Sequence, residues 1–583
     1  MRKRLLYAFA GGLFFFFQIT GHDLAVQGNL DWTVQYTLFT LLCSAAGGVC
    51  VAMATQYVQR LIAPRSGASG DTPAVKNGAS GDASGENTRG TAGRSGGLRS
   101  WQAGLISFVL LLLCWLPCYL AYYPGICAYD VTIQTGQIVS GSYNDHHPIA
   151  HTLLLSGSMR LGQALFGDVN TGIGLLVFVQ LVLLAGVFAW GVALLHRRGV
   201  GRPALIGLQV FGMVYPFHMY MSVSVIKDVW FSMWFLLQVL AMSEVLRRRN
   251  RKPDRYDLLF FVSSVGMQLF RNNGRYALLV LLVGLAAAVL FGKGHRRLWG
   301  KLCVNALLAF VVGSLCLTGL FRVTHAEQGD RREMLSMPIQ QLARCMLYHG
   351  GVGVLEADDG TMGAQDRALI ADFLLDEGYQ YYRPEISDPV KSHTNTYVVR
   401  YRAGEFARTY LRLLGSYPGD FVNAALAVNA GYLYLGDTSH ATVNQNGVDA
   451  GLGYVQTRWV EAELNPRGIY KDSKWESLHA LLERLADENA YLKIPVLRYL
   501  CVPAIILWLY LALLAKLLAD GQYAKCLPLL LVFGYYLTLF LGPVVQLRYL
   551  YPLILALPFL AVCSLEKQMQ IVIYKSKKRR NHD

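Results

Sequence analysis

Two acids, two histidines and three amides fall within one short stretch, which opens Tyr122-Tyr-Pro-Gly-Ile-Cys-Ala-Tyr-Asp130, continues through Gln134 and Gln137, and closes Tyr143-Asn144-Asp145-His146-His147-Pro148. A carboxylate beside imidazoles suits general-base chemistry, because it can take the proton from a hydroxyl as that hydroxyl attacks. Asp130 follows a Pro-Gly turn by five residues, so a short helix lying along a membrane surface is expected to begin there. Capping of that helix by Asp130, with His146 and His147 solvated in a loop, fits the same letters equally well. Asp145, His146 and His147 could also offer ligands to a divalent cation, although adjacent histidines seldom share one ion.

A second set of residues is cationic. Lys227-Asp228 closes the run Ser222-Val-Ser-Val-Ile, Arg271-Asn-Asn273-Gly-Arg275 joins two apolar stretches, and Arg548-Tyr549 opens the last one. Lys227 and Asp228 read either as a self-compensated anchor or as half of a phosphate clamp. Guanidinium forks match phosphate oxygens bidentately, and a charge next to hydrocarbon is functional by default. Met337-Pro-Ile-Gln340-Gln341 adds two amides able to meet a sugar or merely to pack a helix.

These residues need a scaffold, and the composition says which kind. The chain of 583 residues is 54% hydrophobic and only 16% charged, too apolar for a soluble protein of that length. The net charge of +15 comes from short basic runs beside apolar stretches, which argues for membrane topology and against nucleic acid as a partner. The eleven cysteines are scattered without a CxxC pair; Cys127 and Cys345 fall in expected outer loops.

Apolar stretches long enough to cross a bilayer, about 20 residues each, are expected at 5–21, 33–57, 103–122, 171–195, 203–219, 226–246, 257–271, 275–292, 300–321, 494–517, 524–542 and 546–565. The first, after Arg2-Lys3-Arg4, reads as a signal anchor. Twelve spans put Arg60 and Arg65, Arg197 and Arg198, Arg247 to Lys252, Lys293 to Arg297 and the tail from Lys575 on one side, taken as cytoplasmic. The fold class expected is therefore an α-helical polytopic membrane protein with both termini cytoplasmic. Its parts are an N-terminal transmembrane pair (1–64), a Gly/Ser-rich disordered linker (65–102), a transmembrane module (103–321) whose first outer loop is 122–150, a mostly helical extracytoplasmic domain (322–490), the last transmembrane helices (491–567) and a basic cytoplasmic tail (568–583).

With Pro-Gly, Tyr-Asp and Asn-Asp-His-His-Pro in the first outer loop, then Lys227-Asp228, Arg271-Asn-Asn-Gly, Met337-Pro-Ile-Gln-Gln and Arg548-Tyr549, the chain resembles the GT-C superfamily of membrane glycosyltransferases over about residues 103–565, in a bacterial branch of uncharacterised proteins. The resemblance implies sugar transfer from a polyprenyl-phosphate donor to a glycan, lipid or protein acceptor outside a bacterial plasma membrane. It further implies Asp130 as the base of an inverting displacement, with Asp145, His146 and His147 as possible helpers. Lys227, Asp228, Arg271, Asn273, Arg275, Gln340, Gln341, Arg548 and Tyr549 become the residues expected to hold substrate. Two other readings compete: a flippase or transporter of lipid-linked saccharide, and a membrane-anchored envelope assembly protein. A transporter should bury polar groups at mid-membrane on broken helices, whereas here they gather at one face.

Overall fold

A computed structural model describes residues 2–62, 98–249, 252–292, 296–329, 331–436, 457, 459–486 and 490–580. The Gly/Ser-rich segment and residues 581–583 lie outside these. Long apolar stretches can satisfy their backbone only by coiling on themselves, and the described chain is helical throughout, joined by turns and a few isolated bridges. In chain order the first helices are α1 (Arg2–Gln27), α2 (Val34–Ile62), α3 (Ser100–Ala121), α4 (Tyr129–Ser140), α5 (Ile149–Phe166), α6 (Val169–Arg197), α7 (Arg202–Val214), α8 (Pro216–Val223), α9 (Lys227–Arg248), α10 (Arg255–Phe270), α11 (Asn272–Phe291) and α12 (Arg296–Thr324).

Among the described residues nine helices are long and apolar enough to cross a membrane, or ten if α7 and α8, bent by 57° at Pro216, make one span. The sequence reading expected twelve. Two of its spans fall short: the stretch at 257–271 is the 16-residue α10. That at 494–517 is divided into α22 (Pro495–Leu500) and the 17-residue α23 (Pro503–Ala519), because Pro503 cannot extend the helix before it. The last spans are α24 (Leu527–Phe540) and α25 (Tyr551–Arg580).

Between α12 and α22 lies the domain that the sequence marked as polar and helical. Its main helices are α13 (Ser336–His349), α14 (Ala364–Phe373), α17 (Ala403–Ser416), α18 (Pro418–Val428) and α21 (Glu476–Ala486), with α15 (Asp388–Lys391), α16 (Thr396–Tyr401), α19 (Ala430–Leu433) and α20 (Glu461–Leu464) as single turns between them. It has a core of its own, in which Ile339, Leu342, Ile370, Phe373, Phe406 and Phe421 are buried together. One buried arginine ties it to the N-terminal pair. Arg344 donates to Asp420 (2.9 Å), to Asn29 Oδ1 (2.7 Å) and to the Gly28 carbonyl (3.3 Å) between α1 and α2. Cys127 and Cys345 are free, each buried in a different core.

Helix direction sorts the polar residues by end. α9 runs from Lys227 to Arg248, and α10 starts at Arg255 and returns to Arg271, which pairs with Asp228. Lys227, Asp228 and Arg271 thus share one end of these helices. The opposite end gathers Arg198, Arg247 and Arg248 around the buried Glu244, at 2.6, 2.9 and 3.0 Å.

Candidate functional site

Two backbone strands of contact bring the first acid and the first cation together. After α3, Gly125 takes a left-handed φ of +153°, and a Cβ there would stand 2.7 Å from Val177 Cγ2 and 3.0 Å from the Val223 carbonyl. Only glycine fits that approach comfortably. The next residue then bridges to the segment before α9: Ile126 N–H donates to Val223 O (2.8 Å) and Val225 N–H to Ile126 O (2.9 Å). With the two segments clamped, α4 starts facing α9, and each helix carries its acid, Asp130 or Asp228, in the first turn, where the helix dipole favours negative charge. Asp130 is not the cap of α4. Ala128 holds that position, and the Asp130 carboxylate is directed elsewhere.

It is directed to cations. Lys227 Nζ lies 2.6 Å from Asp130 Oδ2, and Arg548 reaches the same carboxylate at 3.2 Å. Arg548 is steadied by Gln546 Oε1 (2.6 Å) and by the face of Tyr549. Lys227 also donates to His147 Nδ1 (3.0 Å). An ammonium has no lone pair to give, so that nitrogen is the acceptor and the ring proton sits on Nε2, which is buried and unpartnered among the described residues. Beside this group, Asp228 pairs with Arg271, Arg271 packs on the rings of Tyr549 and Tyr535, and Asn273 bridges Arg271 (3.3 Å) to Thr538 (2.7 Å).

Asp228 (0% exposed), Asp130 (6%) and Arg271 (7%) are buried, and Lys227 and Arg548 are half-buried, each with 14% of its side chain exposed. Burial alone would raise the Asp130 carboxyl, but the Arg548 and Lys227 charges outweigh it and hold Asp130 well below the usual carboxylate range. Burial, then the Lys227 charge, push His147 down to about 2, so its ring is neutral. Three cations, Lys227, Arg271 and Arg548, therefore face two carboxylates. Lys227 and Arg548 share the single Asp130 carboxylate, so among the described residues the cluster carries one more positive than negative charge.

The structure divides the remaining expected site residues. Asp145 turns away and accepts the Gly329 N–H, while His146 stacks edge-on against His147 (4.6 Å) and faces Glu333 at 4.0 Å. Together they fasten the loop after α4 to the start of the polar domain, where Glu327 N–H donates to Tyr143 O. Arg275 lies on Phe310 of α12, one turn away from Arg271. The amides of Gln340 and Gln341 are paired inside the polar domain, with the Arg383 carbonyl and with Phe421 O and the Tyr410 hydroxyl. Among the described residues no group of three His, Cys, Asp or Glu side chains is arranged to hold a metal ion.

Three participants were missed. Tyr535 looks in sequence like one more apolar residue of α24, yet it forms part of the Arg271 cradle and donates to Tyr549 O (2.8 Å). His151, one turn beyond His147, is fully buried and pairs with Gln134 (3.1 Å), which holds Thr152 (2.9 Å). Arg467 anchors α4 from the polar domain, donating to the Thr132 carbonyl and to Thr135 Oγ1 (2.7 Å). Only the spacing of four between His147 and His151 was a usable signal.

No curated protein matches this chain, and no solved structure does. A family model does match, from the end of α4 through α25, which includes Lys227, Arg271 and Arg548 and begins nine residues after Asp130. Over residues 139–579 the chain belongs to the DUF6020 family, a family of unknown function.

Proposed function

We propose that the chain is a glycosyltransferase that moves a sugar from a polyprenyl-phosphate donor to an extracytoplasmic acceptor. What carries the reading is the excess of positive charge: three cations, one buried and two half-buried, share two carboxylates, and a further anion would balance them. A phosphate supplies it. The resemblance to GT-C enzymes and the collection of basic residues at the far end of the helices support placing this cluster on the outer side.

On donor arrival, Arg548 and Lys227 turn to the phosphate and release Asp130. The freed carboxylate takes the proton of the acceptor hydroxyl as its oxygen attacks the anomeric carbon. The bond from that carbon to the phosphate oxygen breaks, and the electron pair leaves on polyprenyl phosphate. Arg548 and Arg271 stabilise the charge that develops there. His147, neutral and with Nε2–H unpaired, donates to a substrate oxygen.

The test is sugar loss from a panel of polyprenyl-phosphate donors by purified protein in lipid, wild type against Asp130→Asn. Consumption by wild type, reduced about a hundredfold or more in the variant, supports the proposal. Consumption of no donor, with movement of lipid-linked saccharide between leaflets instead, would replace it with a flippase.

A further inference from the structure

At the end of the helices opposite Asp130, an apolar groove of about 620 Å³ opens between α3, α6, α9 and α10. Its walls include Phe108, Leu183, Trp190 and Leu237, and its floor includes Gly186, whose missing side chain would meet nothing within 4 Å. The volume falls inside the range of roughly 300–1,000 Å³ usual for sites that hold small molecules. One end is different in character. There Arg197 and Arg255 line the groove with Tyr256 between them: Arg197 donates to the Tyr256 hydroxyl, and the Arg255 guanidinium sits 5.1 Å from the ring centre.

Other cations at this end have carboxylate partners. Arg198, Arg247 and Arg248 have Glu244, and Lys301 has Asp257 at 2.8 Å. Arg197 and Arg255, both exposed, have no carboxylate at ion-pair distance among the described residues. Two uncompensated guanidinium forks at the mouth of an apolar channel complement a molecule with a phosphodiester at one end and a hydrocarbon chain at the other. Basic pockets between membrane helices hold anionic lipid headgroups in this way.

We propose that this groove binds an anionic phospholipid, one acyl chain lying over Gly186 and the phosphate held between Arg197 and Arg255. The experiment is native mass spectrometry of the full chain, exchanged into mixtures of phosphatidylglycerol and phosphatidylcholine. Three variants accompany wild type: the double variant Arg197→Gln/Arg255→Gln, Gly186→Leu, and Arg202→Gln as a control arginine at the same end. Wild type and Arg202→Gln should retain phosphatidylglycerol roughly tenfold in preference to phosphatidylcholine. The double variant should lose the preference, and Gly186→Leu should lose retained lipid of either kind, because its side chain fills the channel without a clash. Equal retention of the two lipids by wild type, or a preference that survives in the double variant, overturns the proposal.

Discussion

Asp130 touches two cations at once, and so its removal and its neutralisation ask different questions. Asp130→Asn keeps the shape but has one acceptor oxygen for two donor-only cations, so unfolding temperature should fall somewhat while transfer falls by about 10²–10⁴; unaltered turnover by a folded variant removes Asp130 from the mechanism. Arg548→Ala should weaken binding of the lipid-phosphate donor and leave acceptor binding nearly intact. Equal losses for both ligands would make Arg548 structural. His147 gives a pH prediction with a definite sign. Its folded pKa is pushed down to about 2, so below its unfolded value near 6.5 the unfolded chain takes a proton that the folded one refuses, and stability is lost on acidification. From pH 8 to 5 wild type should lose about 2 kcal/mol through this ring, and His147→Gln should lose correspondingly less. Parallel stability curves would refute it. Asp130 contributes no slope in that window, because it is ionised throughout in both states. Residue identity was largely legible: Asp130, Lys227, Arg271 and Arg548 each stood out as charges beside hydrocarbon. Gln340 and Gln341 stood out equally, but an amide on an amphipathic helix reads the same whether it meets a ligand or, as here, the carbonyls of its own domain.

At the scale of elements, two glycines in left-handed backbone separate function from local strain. Gly125→Ala meets a close approach as well as an unfavourable φ, and it shifts the bridge that sets α4 opposite α9. It should cost about 1–3 kcal/mol and lower transfer with it. Gly141, which ends α4 with φ +70°, has open space around it. Gly141→Ala should cost about 1–2 kcal/mol and leave transfer close to wild type. Thermal unfolding and donor turnover, measured on both, check the pair; equal loss of turnover would mean that the bridge does not position Asp130. Long elements were the most legible feature, since a run such as Val169–Arg197 admits one solution in lipid. Short ones were not. The 16-residue α10 and the stretch broken at Pro503 are apolar enough to look like spans, but their length and packing depend on neighbours far away in sequence.

For the whole molecule, sidedness is the first expectation to check. Single cysteines at Ser142 and Arg202, in a cysteine-free background, should react with an impermeant maleimide from opposite faces of the membrane, Ser142 from outside. Labelling from one face would require an odd change in the number of crossings. The N-terminal pair, which precedes the matched family region, is joined to the polar domain through Arg344. Arg344→Ala leaves Asp420 and Asn29 without this buried partner and should destabilise the protein by about 3–5 kcal/mol, more than Asn29→Ala; a smaller effect would show that the contacts of Asn423 with Asn29 and Trp32 hold the two parts together without it. None of this long-range convergence was visible in the sequence, because Lys227 and Arg548 meet at a carboxylate 97 and 418 residues away from them. That meeting has a kinetic consequence. On the proposed reaction, a resting protein whose base is already occupied by its own cations is deaf to an acceptor that arrives alone, since no proton acceptor is free to respond. The order of events is then compulsory, donor first and acceptor second, and initial-rate patterns should show it: a dead-end acceptor analogue would bind only to the donor-loaded protein and would inhibit uncompetitively toward the donor.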